Sequence, residues 1–537
     1  MSGVTNFGGR RYTEPGVGAR VISGVPATTP NPSAGIVLLI DTGSGAGFGA
    51  GAGVLGQLAS GKQALQKFRD LAELRKKVRG GLHYDLAAYL LTPGGAGTAG
   101  ASEVQILRAC ATGAATITIA IGSDTLKVHP LAEGVGANGA LSGDTLTRGL
   151  AARVVRGSLD ANKVQLRFFQ GDYAGADEYG IPYNGFAQAD SAQLQLAQSP
   201  ELTNTAALVQ WMLTDKTFRS SFAYEPTGST SSTTVINNTN LLAALGWKLA
   251  TGGTETYSTE ALKKALEVVS EGAHTYVLAD RWGADSTTGA ASAENGLLVA
   301  ALEDAPFPRF VVIAGGSTPA EFDAGVSAAV ASSYDQRGVI VVDGGCQVDG
   351  PSSYGLLARS SLYTAATVLG RKCGMAAQES VTHKPLGRIK GIINDLGPEA
   401  RARALQAGVL HLKEIAVEGG GTAFAVNQGI NTLQKNTELL NPDGQSYDWA
   451  EEAINSALIN RLQLKAGIRF VGRSKAEATL SDVLTWTQSE LQDAKKEGLI
   501  LRYFDVTAKR EADTWFVEFG FESNGPINKL FFTAAKV

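Results

Sequence analysis

Thr275-Tyr276-Val277-Leu278-Ala279, Phe310-Val311-Val312-Ile313-Ala314 and Val339-Ile340-Val341-Val342-Asp343 are three short, almost wholly apolar runs. Helix-like segments alternate with them: Thr259–Glu271, Glu294–Glu303, Thr318–Ser333 and Tyr354–Gly370. A strand with no polar alternation is one covered on both faces. Strands that alternate with helices in sequence build a mainly parallel sheet with helices packed over it. Helix Pro398–Gln406 and strand Val409–Ile415 close this stretch, and Gly35 to Ile40, ending at Asp41, reads as another buried strand.

Moving outward, the pattern between Glu103 and Gln170 changes to short β runs. These are Val104–Ala109, Ala115–Ala120, Leu126–Val128, Ala151–Val155 and Lys163–Phe168, with turn signals between them. Their spacing predicts a β-sandwich or small barrel. Thr214 to Asn240, rich in Ser, Thr and Asn, reads as an exposed loop. Lys62 to Arg79 reads as a helix crowded with basic residues, either a solvated face or a contact for an acidic partner.

The C-terminal end has its own character. Phe424–Leu433 reads as a strand and Trp449–Gly467 as a long helix. Ser481–Lys496 places Val483, Leu484, Trp486, Leu491 and Ala494 at helical spacing, with Ser481 or Asp482 as the cap and Gly498 as the stop. Leu499–Thr507 and Trp515–Phe521 read as strands, and Asn528–Thr533 as a last one containing Leu530, Phe531 and Phe532. A terminal strand this apolar needs a partner, in its own domain or in a neighbouring copy. At the other end, Tyr12, Pro15, Gly16 and Val17 form a Pro-Gly turn before a short extended piece containing Val21. This reads either as a frayed tail or as a second exchangeable strand, and not as a signal peptide, because it lacks an apolar core segment.

With 537 residues, 44% of them hydrophobic, the chain can bury the cores of several domains. Its formal charge of −4 gives no general pull toward nucleic acid, and no apolar run is long enough to span a bilayer. Cys110, Cys346 and Cys373 are far apart and odd in number, which points to reduced thiols. The five His have no metal-ligand spacing, and no Walker lysine pattern is present, so neither a metal nor a nucleotide cofactor is expected.

Three motifs invite an enzymatic reading. Asp41-Thr42-Gly43 after an apolar strand matches the aspartic-protease pattern. That chemistry needs two carboxylates sharing a proton, and the chain holds no second copy, so a dimer would have to supply it. Gly51-Ala52-Gly53-Val54-Leu55-Gly56 fits a dinucleotide fingerprint but does not follow a strand directly. Asp280, His274 and Ser317 sit in no nucleophile elbow, and Asp343-Gly344-Gly345-Cys346 has no nearby His to activate the thiol.

The order of parts, together with several local strings, resembles the contractile tail sheath proteins of phages and related injection machines. Tyr12–Val17 resembles that family's opening Tyr-x-x-Pro-Gly-Val. Glu133–Gly139, ending Ala137-Asn138-Gly139, looks like its Gly-x-x-Asn turn, and Leu249–Glu255 like its Leu-x-Gly-Gly entry to the middle domain. Val426–Leu433 and Glu497-Gly498-Leu499-Ile500 look like its C-terminal strand and helix–Gly turn. The resemblance implies an N-terminal arm over 1–34, an α/β segment over 35–102 and a β-sandwich-like domain over 103–200. It places a subtilisin-like-fold α/β domain over 201–420 and a C-terminal α+β sheath domain over 421–537, whose terminal strands are exchanged.

It further implies a structural subunit, not an enzyme, that stacks as hexameric rings around an inner tube. Such rings contract to drive the tube through a host envelope. The implied partners are other copies of the chain, the tail tube protein, and the baseplate and tail terminator proteins, with no nucleic acid and no membrane insertion. The implied place is the virion tail, after assembly in the host cytoplasm. Tyr12, Pro15, Gly16, Val17 and Val21 would form one intersubunit arm and Leu530, Phe531 and Phe532 the other. The polar face of Ser481–Lys496, with Glu490, Asp493, Lys495 and Lys496, is the candidate tube contact. The remaining readings are a protease-like dimer using Asp41, or a capsid or surface structural protein.

Overall fold

The computed structural model describes residues 5–7, 10–12, 35–41, 65–77, 82–94, 99–108, 110–131, 137–158, 160, 162–171, 194–230, 238–257, 262–263, 275–279, 296–300, 309–316, 326–336, 338–350, 355–393, 395–417, 421–433, 448–472, 478–511 and 514–522. At its centre is a seven-stranded sheet. The strand order is Leu65–Phe68, Glu103–Arg108, Ile36–Asp41, Tyr276–Ala279, Phe310–Ala314, Val339–Val342 and Val409–Leu410. Every pairing is parallel except that of Leu65–Phe68 with Glu103–Arg108. The sheet joins strands of the 35–102 segment to strands beyond residue 201.

Alternate residues of each strand feed two different cores. Val37, Leu39, Tyr276, Leu278, Phe310 and Val312 face helices Leu82–Leu91 and Ser361–Cys373. Leu38, Ile40, Val277, Val311, Ile313 and Val341 face Leu298, Val330 and Ala404, the last two on helices Val326–Tyr334 and Pro398–Gln406. This two-sided burial is the physical reason for the continuous apolar runs. Helices Leu82–Leu91 and Ser361–Cys373 approach closely at Gly370. A Cβ there would lie 2.7 Å from the backbone oxygens of Tyr89 and Leu90.

Four local expectations are corrected. Lys62–Arg79 is not one helix but the edge strand Leu65–Phe68 followed by helix Leu71–Lys77, because Phe68 is buried beside the sheet. Within Tyr354–Gly370, Leu356–Arg359 is a strand paired with Cys346–Asp349, and the helix starts at Ser361. Thr214–Asn240 contains helix Lys216–Arg219 and strand Phe222–Thr230, which bury Phe218 and Phe222. The strand in Phe424–Leu433 is instead Gly421–Val426, hairpin-paired with Leu412–Val417.

The β-rich part is a single antiparallel sheet of eight strands rather than two facing sheets. It includes Phe222–Thr230 and Gly246–Thr251, so it takes strands from both sides of residue 200. Helices Thr205–Thr214 and Lys216–Arg219 supply the opposing layer. Phe168 packs against Trp211, Phe218 and Phe222, with ring centroids 6.3, 5.1 and 4.8 Å away. The chain enters this part through Cys110–Gly113 and leaves through Thr254–Tyr257, two strands paired with each other. Above this ribbon the Asn138 amide donates to the Gly253 carbonyl and accepts from the Gly253 N–H, both at 2.8 Å.

Candidate functional site

The C-terminal unit begins with one long helix, Trp449–Phe470. Its N-cap, Asp448, accepts from the Ala450 N–H at 2.7 Å and from the Ser380 hydroxyl at 3.0 Å. Trp449 is fully buried under the central sheet, 6.1 Å from the Tyr276 ring and 6.4 Å from that of Phe310. Farther along, Leu458 and Leu462 join a separate core with Leu491, Ala494, Leu499 and Ile500. The helix therefore has its start in the α/β core and its later turns in the C-terminal core.

The second helix is Leu480–Lys496. Its cap is Thr479, ahead of the expected Ser481 or Asp482. The Thr479 hydroxyl accepts from the Asp482 N–H at 3.2 Å, and the Asp482 carboxylate accepts from the Thr479 N–H at 3.0 Å, a complete capping box. The Thr479 hydroxyl beside it holds the Asp482 carboxyl below its ordinary range. Val483, Leu491 and Ala494 are buried, with Thr487 between them. Gly498 ends the helix with φ +72°, and the Leu499 N–H closes onto the Ala494 carbonyl at 2.6 Å.

Strands Arg502–Glu511 and Thr514–Glu522 follow as an antiparallel pair. Tyr503, Val506, Phe519 and Phe521 turn toward the helices. The register slips between Phe504 and Thr507, where Asp505 takes φ +52°. Among the described residues this pair has no third strand.

The four residues expected to face a tube do not act alike. Glu490 is turned inward: its carboxylate accepts from Arg461 at 3.1 Å and Lys465 at 2.6 Å, and its side chain is only 13% exposed. Arg461 also bonds Glu497 at 2.5 Å. Asp493 pairs with Lys496 on its own helix at 3.0 Å, and this bond lowers the Asp493 pKa. Lys495 is exposed. Of the N-terminal set, Tyr12 ends strand Arg10–Tyr12, paired antiparallel with Thr5–Phe7. Pro15, Gly16, Val17, Val21, Leu530, Phe531 and Phe532 lie outside the described residues.

Three of the candidate chemical groups, Asp41, Asp343 and Cys346, fall among the described residues. Asp41 ends the strand Ile36–Asp41 in the middle of the parallel sheet, in register with Arg108. Asp343 is fully buried and accepts from the Ser327 hydroxyl at 2.7 Å, while Ser327 in turn accepts from the Gly316 N–H at 2.8 Å. Burial pushes the Cys346 thiol up to about 11, with Thr364 and Arg359 pulling the other way, so a thiolate nucleophile is disfavoured there. Ser317, His274, Asp280 and the 43–56 glycine tract lie outside the described residues. Sequence reasoning missed the Arg461–Glu490–Lys465 network, whose members stand 29 and 25 positions apart.

No protein-family model and no curated protein matches the sequence. Solved structures do. The chain superposes on a sheath tail protein from Desulfitobacterium hafniense with TM-score 0.57 at 14% identity, over 95% of this chain and 100% of that one. A sheath tail protein from Listeria innocua gives TM-score 0.55 at 14% identity, over 94% and 96% of the two chains. The chain thus has the fold of these two proteins along nearly its whole length.

Proposed function

We propose that this chain belongs to the contractile tail sheath proteins and is a structural subunit rather than an enzyme. The observation that carries this reading is a fold shared end to end with two sheath tail proteins. Fold alone does not fix function. The buried Asp343 and Cys346 weigh in the same direction.

Copies assemble as hexameric rings that stack around an inner tube through a heterologous contact, which propagates along the axis. The arms containing Tyr12, Pro15, Gly16, Val17 and Val21, and Leu530, Phe531 and Phe532, add strands to the Arg502–Glu511 and Thr514–Glu522 hairpin in neighbouring copies. Main-chain hydrogen bonds then hold the lattice while whole subunits reorient. Contraction is the release of a trapped lattice into a lower-energy packing, with no nucleotide required. The other partners are a tail tube protein, a baseplate and a tail terminator, in a phage or phage-like tail assembled in the host cytoplasm. A tube contact includes Lys495 and Lys496, with Glu490 and Asp493 acting through their ion pairs.

Negative-stain electron microscopy of the purified chain, alone and with an inner-tube protein, tests this reading. Stacked rings or hollow tubes that disappear on deletion of residues 528–537 are the expected result. Closed shells, or no polymer in either condition, would refute it.

A further inference from the structure

His411 directly follows Val409–Leu410, the edge strand of the central sheet, and is buried, only 2% exposed. Among the described residues neither of its ring nitrogens has a hydrogen-bond partner. A neutral imidazole carries one N–H donor and one acceptor, and leaving both bare in a core is costly. Asp343 lies alongside, one step past the Val342–Leu410 pair on the neighbouring parallel strand. Its carboxylate accepts from the Ser327 hydroxyl at 2.7 Å and makes no bond to the imidazole.

Cations crowd the same place. Arg401 comes from helix Pro398–Gln406 and Lys413 from strand Leu412–Val417. Burial first, then the charges of Arg401 and Lys413, push the His411 pKa down from 6.5 to about 4. Burial and Arg401 lower Lys413 in turn, and burial and Lys413 lower His383. Arg401 is only partly relieved. Its Nη1 donates to the Leu396 carbonyl at 2.6 Å, and the Asp395 carboxylate, 3.6 Å away, is mostly exposed. Lys413 makes no ion pair among the described residues. Like charges gathered around a buried neutral ring repel, and water screens them poorly there.

The groups left over are donors: an imidazole N–H, an ammonium and the remaining guanidinium N–H groups. Donors in a positive field suit an oxyanion. A water molecule would satisfy the ring but leave the cations unmatched. We infer that Arg401, His411 and Lys413 hold a small free oxyanion of the phosphate or sulfate class. The ion gives the imidazole N–H its acceptor and offsets both cations. Arg401 and Lys413 are half-buried, so entry is from their side, and the enclosed ring selects a bare ion over an ester. This site is independent of the sheath reading.

The test uses the full chain in isothermal titration calorimetry with inorganic phosphate and with sulfate. Thermal melting runs beside it, with ionic strength matched by potassium chloride. Both ions are expected to bind and to raise the melting temperature beyond the chloride control. Lys413→Met removes a charge that makes no ion pair inside the subunit. It is expected to weaken phosphate binding about tenfold or more, while the anion-free variant melts no lower than the wild type. Glucose 6-phosphate, a phosphate ester, is expected to bind about tenfold or more weakly than phosphate. A bound anion favours the protonated ring, so binding takes up a proton and tightens as pH falls. Sulfate does not titrate in this range. Its affinity should rise several-fold from about pH 7.5 to about pH 5.5 in the wild type but not in His411→Phe, which separates the buried ring from the exposed His383.

No binding beyond the chloride control overturns the inference and leaves water at the ring. Equal affinity in Lys413→Met overturns it as well, as does a lower melting temperature for that variant without anion. Glucose 6-phosphate binding as tightly as phosphate, or a wild-type sulfate affinity that ignores pH, would do the same.

Discussion

Replacing Trp449 by Ala tests whether the C-terminal unit is anchored in the α/β core. The indole is fully buried against Tyr276 and Phe310. An indole removes on the order of 200 Å² from water. At about 25 cal/mol per Å² that is at most about 5 kcal/mol, and measured Trp→Ala losses in cores run to about 3–5 kcal/mol. We expect Trp449→Ala to cost about 4 kcal/mol on this scale. The indole N–H has no hydrogen-bond partner among the described residues, so Trp449→Phe gives up no bond and should cost under about 2 kcal/mol. Urea unfolding followed by far-UV circular dichroism reads both variants. With several cores the transition can split, so the shift should be taken on the step that melts the central sheet. A loss below about 1 kcal/mol for Trp449→Ala, or equal losses for the two variants, would refute the anchoring argument.

Further outcomes follow from single contacts. Asn138→Ala removes both hydrogen bonds to Gly253 and should lower stability by about 1–3 kcal/mol, measured by thermal melting of the β-rich part; no change would mean that water replaces the amide fully. Gly370→Ala drives a methyl against the Tyr89 and Leu90 carbonyls and should destabilise by about 1–3 kcal/mol, although Ala favours helices; a gain in stability by urea titration would overturn the close-packing claim. His411 is held neutral by burial, reinforced by Arg401 and Lys413, with its pKa pushed down from 6.5 to about 4. Between those values the unfolded chain binds a proton that the folded chain refuses. Stability should therefore fall by up to about 3 kcal/mol as pH drops through this window, and His411→Phe should flatten the slope; an unchanged slope would remove His411 as the cause.

The parallel sheet was legible because Phe310–Ala314 and Val339–Val342 are buried on both faces and carry no polar residue. Helix Pro398–Gln406 was legible to the residue, its Pro sitting in the first turn and Gly408 following its end. Leu65–Phe68 was not. It is an edge strand in which Phe68 is buried, and its exposed Lys67 and neighbouring Arg69 follow the rule for guarding edges rather than the rule for strands. Leu356–Arg359 has helix-forming side chains, and its strand state comes from pairing with Cys346–Asp349, which local propensity does not encode. The cap at Thr479 was missed because Ser481 and Asp482 are equally good capping types, and only the bonds distinguish them. Glu490 looked like a surface acid because its partner Arg461 lies on another helix, which spacing along one helix does not reveal.

The paired entry and exit strands of the β-rich part have an evolutionary reading. Cys110–Gly113 and Thr254–Tyr257 run side by side, with Gly113 opposite Thr254, so everything between them hangs from two points about 5 Å apart. A tight turn of two residues spans the same gap. The host fold therefore does not depend on what fills that gap. A lineage can lose the decoration, enlarge it or exchange it for another without re-solving the packing of the central sheet. Change in the β-rich part is in this way kept apart from the packing of the central sheet.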